Sequence, residues 1–347
     1  MTPDTMNLNG TRTALLVALA TLVLCQALAS AATFTDDSGT TITLDGPPER
    51  IVSLSPSSTE ILAALGLLDR VVGVTDVCDY PPEVRNLTRI GGYSSVSIER
   101  VAAVNPDLVI ASDLTPAETV ARLRGLGLTV MLVAPKSIDH VLRDIRRVGE
   151  VTGTGARADD LVADLSRRMA GVAGGETSER PRVAHVVWHT PLYVSGNATM
   201  QDDIIARSGG ANAFADRDGW STVSLEEFLR ANPDIIIVSS GDGMIASNRD
   251  VILDEFTTNP QYASLSAVRN GRVFAVDADM LSRPGPRVAD ATEEVGRIIA
   301  AFDAERAGGN ASAPGAETTR SPGFSHAVAG LALALGCGLA ARAARGR

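Results

Sequence analysis

The chain has 347 residues, more than one average domain needs, and at 45% hydrophobic and 21% charged it holds too much apolar material for general disorder. Its formal charge of −10 and pI near 5.0 exclude a nucleic-acid binder, because no basic stripe exists to meet phosphates.

At the start, Arg12 precedes an apolar run from Ala14 to Leu24 and then the small residues Ala29-Ser30-Ala31. This layout predicts a secretory signal peptide over 1–31 and an exported mature chain. Apolar stretches at 51–54, 71–74, 108–111 and 129–133 predict strands, and helical patterns at 57–65, 116–123 and 138–151 alternate with them, which gives an N-terminal α/β lobe over 32–153. A helical span at 155–170, apolar at Leu161, Val162, Leu165 and Met169, predicts a linking helix within 154–180. Strands at 183–188, 235–238 and 273–276 and helices at 200–207 and 287–302 predict a second lobe over 181–303. The fold class expected is α/β: two doubly wound lobes with parallel sheets, joined by a single helix, with a ligand cleft between them.

A stretch over 304–321, rich in Gly, Ala, Ser, Thr and Pro, reads as a flexible stalk. After Ser321-Pro322-Gly323-Phe324, an apolar run at 327–341 ends in Arg342, Arg345 and Arg347. Segment 322–347 reads either as a plain membrane anchor or as a sorting signal, since its order resembles the archaeal tail recognised by an archaeosortase; both tether the protein outside the cell. Cys25 and Cys337 lie in these terminal segments, which leaves Cys78 without an internal disulfide partner.

The two halves repeat a pattern. Gly92-Tyr93-Ser94-Ser95-Val96-Ser97-Ile98-Glu99 aligns with Gly219-Trp220-Ser221-Thr222-Val223-Ser224-Leu225-Glu226, and in the same register Asn105-Pro106-Asp107 aligns with Asn232-Pro233-Asp234. Each copy reads as a loop bearing an aromatic, a helix capped by Ser97 or Ser224 with a carboxylate in its positive first turn, a stop at proline, and a buried strand. Glu227 gives the second copy the fuller capping box.

No phosphate-binding glycine loop, Cys-x-x-Cys pair or His-Glu-x-x-His helix is present, so an enzyme is not expected. His185 and His189 stand four apart in a strand-like segment, on one face but about 13 Å from each other, too far to share a metal. His189 is either a polar residue at a strand end or a ligand to an iron or cobalt centre. Asp36-Asp37 and Asp202-Asp203 are read as solvated surface.

Arg50-Ile51-Val52-Ser53-Leu54-Ser55-Pro56-Ser57-Ser58-Thr59-Glu60, Asp79-Tyr80-Pro81-Pro82, Ser195-Gly196 and Arg283-Pro284-Gly285-Pro286-Arg287 resemble, in order and spacing, the periplasmic cobalamin-binding proteins of ABC importers, over roughly residues 34–303. The resemblance implies a monomeric solute-binding protein that captures a corrinoid such as vitamin B12 and delivers it to a permease dimer with its ATPase subunits. Relatives sharing these motifs bind haem or ferric siderophores, and similar bilobal folds house metal-cluster enzymes. By position, Tyr93, Tyr193 and Trp220 correspond to pocket aromatics, Pro56 and Ser57 to a ligand-contacting loop, and Asp279 and Arg283 to further polar contacts. Glu99 and Glu226 correspond to the carboxylates that engage the permease. A further aromatic is expected near Val77.

Overall fold

The computed structural model describes residues 32–172, 179–241, 245–246 and 249–309. The expected signal peptide, most of the stalk and the C-terminal tethering segment lie outside the described residues. Among the described residues, no helix is long and apolar enough to cross a membrane.

In the N-terminal half, a hairpin of β1 (Ala32–Thr35) and β2 (Thr41–Leu44) precedes β3 (Ile51–Ser53), α1 (Pro56–Ala64), β4 (Val71–Val74), α2 (Ile98–Ala103), β5 (Leu108–Ser112), α3 (Ala117–Gly125), β6 (Val130–Val133) and α4 (Ile138–Thr152). The sheet has the order β4-β3-β5-β6, parallel throughout. β5 is buried along its whole length because both faces are covered: Leu108 and Ile110 join one apolar cluster, Val109 and Ala111 another. The acidic pair Asp36-Asp37 has a structural duty that sequence did not disclose. Asp36 accepts hydrogen bonds from Arg124 and the Leu132 amide, and Asp37 from Arg143, Arg147 and the Ala134 amide, which clamps the hairpin to the lobe.

The chain leaves α4 through Gly153, in the left-handed region at φ 75°, and enters α5 (Gly155–Ala170), whose bounds match the helical span expected at 155–170. α5 is not free-standing. It folds back along α4, where Ala158 abuts Gly149 so closely that no side chain fits there.

The second half runs β7 (Arg182–His189), β8 (Leu192–Ser195), α6 (Met200–Arg207), β9 (Ala211–Asn212), β10 (Trp220–Val223), α7 (Leu225–Ala231), β11 (Ile235–Ser240), β12 (Ile245–Ala246), β13 (Arg249–Asp250), α8 (Val251–Thr258), α9 (Ser266–Arg269), β14 (Val273–Asp277), α10 (Ala278–Ser282) and α11 (Val288–Gly309). At its far end α5 holds α11, through Arg168 to Asp290 at 2.5 Å and to Glu293 at 2.7 Å. β7, β9, β11 and β14 form the expected parallel core, but β8 and β10 extend it antiparallel, in the order β10-β8-β7-β11-β14. This extension was not foreseen, and it carries the aromatic residues of the second half. One apolar cluster runs through both lobes, joining Ile51 and Leu108 to Val183, Ile235 and Phe302.

The repeated Asn-Pro-Asp acquires a shared structural meaning. Asn105 and Asn232 both end their helices in the left-handed region, at φ 44° and 38°, where asparagine is tolerated better than most residues. Asp107 accepts from the backbone amide of Arg50 at 2.9 Å and Asp234 from that of Arg182 at 2.8 Å, while Arg50 and Arg182 donate to carbonyls at the end of the preceding helix. Each copy thereby pins the first parallel strand of its lobe, β3 or β7, to the helix that precedes its parallel neighbour, β5 or β11.

Candidate functional site

Ser55 caps α1 by accepting from the Ser58 amide, which sets Pro56 and Ser57 half-buried at the mouth of the N-terminal lobe. They line a cavity of about 250 Å³ together with Val77, Tyr93, Leu114 and, from the other lobe, Ser282 and Arg283. A second cavity, of about 300 Å³, shares Asp113, Leu114, Pro135, Ser282 and Pro284 with the first and adds Lys136 and Trp220. The two form one cleft between the lobes. Four of the seven large apolar side chains left exposed among the described residues stand on its walls: Val77, Tyr93, Leu114 and Trp220. A larger depression of about 450 Å³ lies on the flank of the second lobe, but it is lined by Arg182, Arg217, Glu227 and Arg230, with Arg217 and Glu227 paired at 2.7 Å and no exposed aromatic.

Tyr93 and Trp220 reach the cleft by different routes despite their matched sequences. The Tyr93 loop is closed by a bridge between Gly91 and Val96, with Gly91 at φ 109°, whereas Trp220 opens a strand directly after Gly219 at φ 60°. The expectation that both lie in loops is corrected for Trp220: its backbone pairs with Ser195 of β8. Tyr193, on the same hairpin, stacks on Trp220 at 5.8 Å with rings 17° apart, and lines neither cavity. It backs the tryptophan.

Behind them His185 is fully buried, within hydrogen-bonding distance of Ser195 at 3.2 Å and Ser239 at 3.1 Å, with its ring edge-on to Trp220 at 5.9 Å. Burial lowers its pKa to about 4, so it is neutral near pH 7. The bulge between Val186 and Trp188 breaks the alternation that placed His185 and His189 on one face. His189 instead contacts the Trp188 ring and the Thr190 hydroxyl. No group of three His, Cys, Asp or Glu is placed to hold a metal among the described residues.

Arg283 and Asp279 sit in an ion network that ties the lobes together. Arg283 meets Asp79 at 2.6 Å, Asp279 at 2.8 Å and Glu60 at 3.5 Å. Arg287 forks onto Glu60 at 2.7 and 3.0 Å and lies over the Tyr80 ring at 4.5 Å. Burial holds the Glu60 carboxyl above its usual range against the pull of both arginines, and burial likewise raises Asp279; Arg283 keeps Asp79 low in spite of burial. Arg283 faces the cleft but is already committed. Asp203 and Arg207 of α6 add further ties, to the Ile138 amide and to Asp139 at the start of α4.

Glu99 and Glu226 stand away from both cavities, exposed, in the first turns of α2 and α7. Glu99 accepts from the Ser97 hydroxyl and Glu226 pairs with Arg230 at 2.6 Å. The capping box predicted for Glu227 is present. Cys78 is buried against the Thr59 and Thr75 hydroxyls.

Leu114, Asp113 and Lys136 escaped the sequence reading. The available signal was positional: they follow β5 and β6, and ligands of open parallel sheets gather beyond the carboxyl ends of the strands. Val77, where a further aromatic was expected, does line the cavity.

A family model described as "Periplasmic binding protein" matches residues 51–280. A cobalamin-binding protein of Halobacterium salinarum is 33% identical over 282 residues, covering 77% of this chain and 73% of its own. An ABC transporter substrate-binding lipoprotein of Bacillus subtilis, YvrC, is 31% identical over 277 residues, covering 77% of this chain and 85% of its own. Among solved structures, the periplasmic heme-binding protein RhuT from Roseiflexus sp. RS-1 superposes with a TM-score of 0.64 at 30% identity, covering 73% of this chain and 98% of that one.

Proposed function

This chain belongs to the Periplasmic binding protein family, and we propose that within it the protein is the substrate-binding component of an ABC importer that captures a corrinoid, cobalamin or a near relative, outside the membrane. The observation that carries the reading is the inter-lobe cleft whose walls expose Tyr93, Val77, Leu114 and Trp220. Side chains of this size stay exposed at a loss of hydrophobic stabilisation unless a ligand covers them. A flat, amphipathic macrocycle suits aromatic and aliphatic walls with a few polar groups at its rim. The similarity to the Halobacterium cobalamin-binding protein favours a corrinoid, and that to RhuT supports haem as the second reading. Ferric siderophores are a third.

In this reading Pro56, Ser57, Tyr93 and Trp220 touch the ligand, Tyr193 holds Trp220, Arg283 sets the floor, and Asp279, which lines neither cavity, holds Arg283. The lobes are taken as 32–153 and 181–303 about a link at 154–180, with segment 1–31 directing export and 322–347 tethering the protein. Calorimetric titration with cyanocobalamin tests the ligand assignment: Tyr93→Ala and Trp220→Ala are each expected to weaken binding about tenfold or more, as loss of a central aromatic anchor does. Unchanged affinity in both variants would move the site elsewhere.

Glu99 and Glu226 dock the permease, since a duplicated exposed carboxylate on equivalent helices suits a partner with two equivalent basic sites. Replacing both by alanine is expected to lower ligand-stimulated ATPase activity of the reconstituted transporter severalfold while ligand affinity is retained. A variant that stimulates as the parent does contradicts this assignment.

A further inference from the structure

Lys136 is the single lysine among the 31 Lys and Arg residues of the chain. It lies three residues beyond β6 and Asp113 lies one residue beyond β5, and these two strands are adjacent and parallel, with Ser112 opposite Val133. Both side chains line the same cavity as Trp220 and Leu114, both are exposed, and neither has a side-chain hydrogen bond or an ion pair, with each other or with any described residue. Their neighbour Arg283 is taken up by Asp79, Asp279 and Glu60. The cleft thus offers a ligand one uncommitted cationic donor and one uncommitted anionic acceptor on the same wall.

We infer that Asp113 and Lys136 read the rim of the bound macrocycle and select carboxamide side groups over carboxylates; the inference rests on the corrinoid reading above. A carboxamide satisfies both residues at once, its carbonyl accepting from the ammonium and its NH₂ donating to the carboxylate. A rim carboxylate gains at Lys136 but meets like charge at Asp113, and it brings no donor for Asp113. A ligand with two acidic side groups finds, among the described residues lining the cleft, one free cation. The ammonium, a compact point charge on a flexible stem, follows a single carbonyl oxygen where a guanidinium fork would demand a matching pair.

The test compares two probes on the mature protein: dicyanocobinamide, whose side groups are amides, and cobyrinic acid, in which they are carboxylates, each titrated by tryptophan quenching. The parent is expected to prefer the amide probe at least tenfold. Asp113→Asn removes the repulsion and should lower that preference severalfold, whereas Lys136→Met removes the attraction for carboxylates and should raise it severalfold. Both positions are exposed loops, so equal melting temperatures will establish intact folding. Binding of cobinamide with a preference that neither substitution moves, or that both move the same way, overturns this inference alone. Failure of both corrinoids to bind overturns it together with the corrinoid reading.

Discussion

Replacing Glu60 with alanine is expected to lower folding stability by about 3 kcal/mol, the low end of the range for breaking a buried ion pair. The Glu60 side chain is 2% exposed and receives the Arg287 fork from the other lobe; Arg287 is itself 13% exposed. Without the carboxylate, Arg287 keeps, among the described residues, Asp277 at 4.0 Å and the Tyr80 ring. Arg283 retains Asp79 and Asp279, which is why the loss falls at the low end. The raised Glu60 carboxyl means that attraction does not fully offset the cost of burying the charge, but removing Glu60 does not recover that cost, because the guanidinium stays behind. Arg283→Ala should cost less, since Glu60 keeps Arg287 and the other two carboxylates are partly solvated. Urea melts at pH 7 read both: a Glu60→Ala loss below about 1 kcal/mol, or below that of Arg283→Ala, contradicts the account.

His185 and Asp144 are expected to tilt stability in opposite directions over the same acid range. The folded chain releases the His185 proton near pH 4, against 6.5 for the ordinary imidazole, so the stability it contributes is complete above pH 6.5 and is lost as pH falls toward 4. Asp144 is fully buried; burial first, and then the neighbouring Asp37 carboxylate, raise its pKa from 3.8 to about 6 against Arg143 and Arg147. Its contribution is therefore complete below pH 3.8 and is lost as pH rises through 6. Each shift corresponds to about 3 kcal/mol across its window, so between pH 4 and 6 the two largely cancel. Relative to the parent, His185→Gln should gain about 3 kcal/mol as pH drops from 6.5 to 4, and Asp144→Asn should gain about as much as pH climbs from 3.8 to 6. Denaturant melts at unit pH steps give the difference curves. Flat curves, or curves tilting the same way, refute the assignment.

The lobes were legible because their strands are short β-branched runs buried on both faces, and that composition survives in Ile51-Val52, Leu108-Val109-Ile110 and Ile235-Ile236-Ile237. The duplicated capped helix was legible for a local reason: Ser224 and Glu227 satisfy each other within one turn. β8 and β10 were not. Leu192-Tyr193-Val194-Ser195 is only four residues long, and Trp220-Ser221-Thr222-Val223 follows a glycine and resembles the Tyr93 loop closely enough to be read as one. Their strand character comes from pairing, β8 with β7 and β10 with β8, a tertiary fact. The contact of Glu60 with Arg287 joins positions 227 residues apart, and no local pattern announces it. Leu114, with 65% of its surface exposed, reads in sequence as an ordinary loop residue until β5 and β6 are set side by side.

The protein contains two tryptophans, and in a Trp188→Phe variant only Trp220 remains to report on the cleft. Titrating that variant with cyanocobalamin while following its fluorescence addresses the capture of a corrinoid between the lobes most directly. Saturable quenching at micromolar ligand, weakened about tenfold or more by Tyr93→Ala on the facing lobe, is the predicted result. No saturable quenching by corrinoid, together with tight binding of haemin or a ferric siderophore, would contradict it.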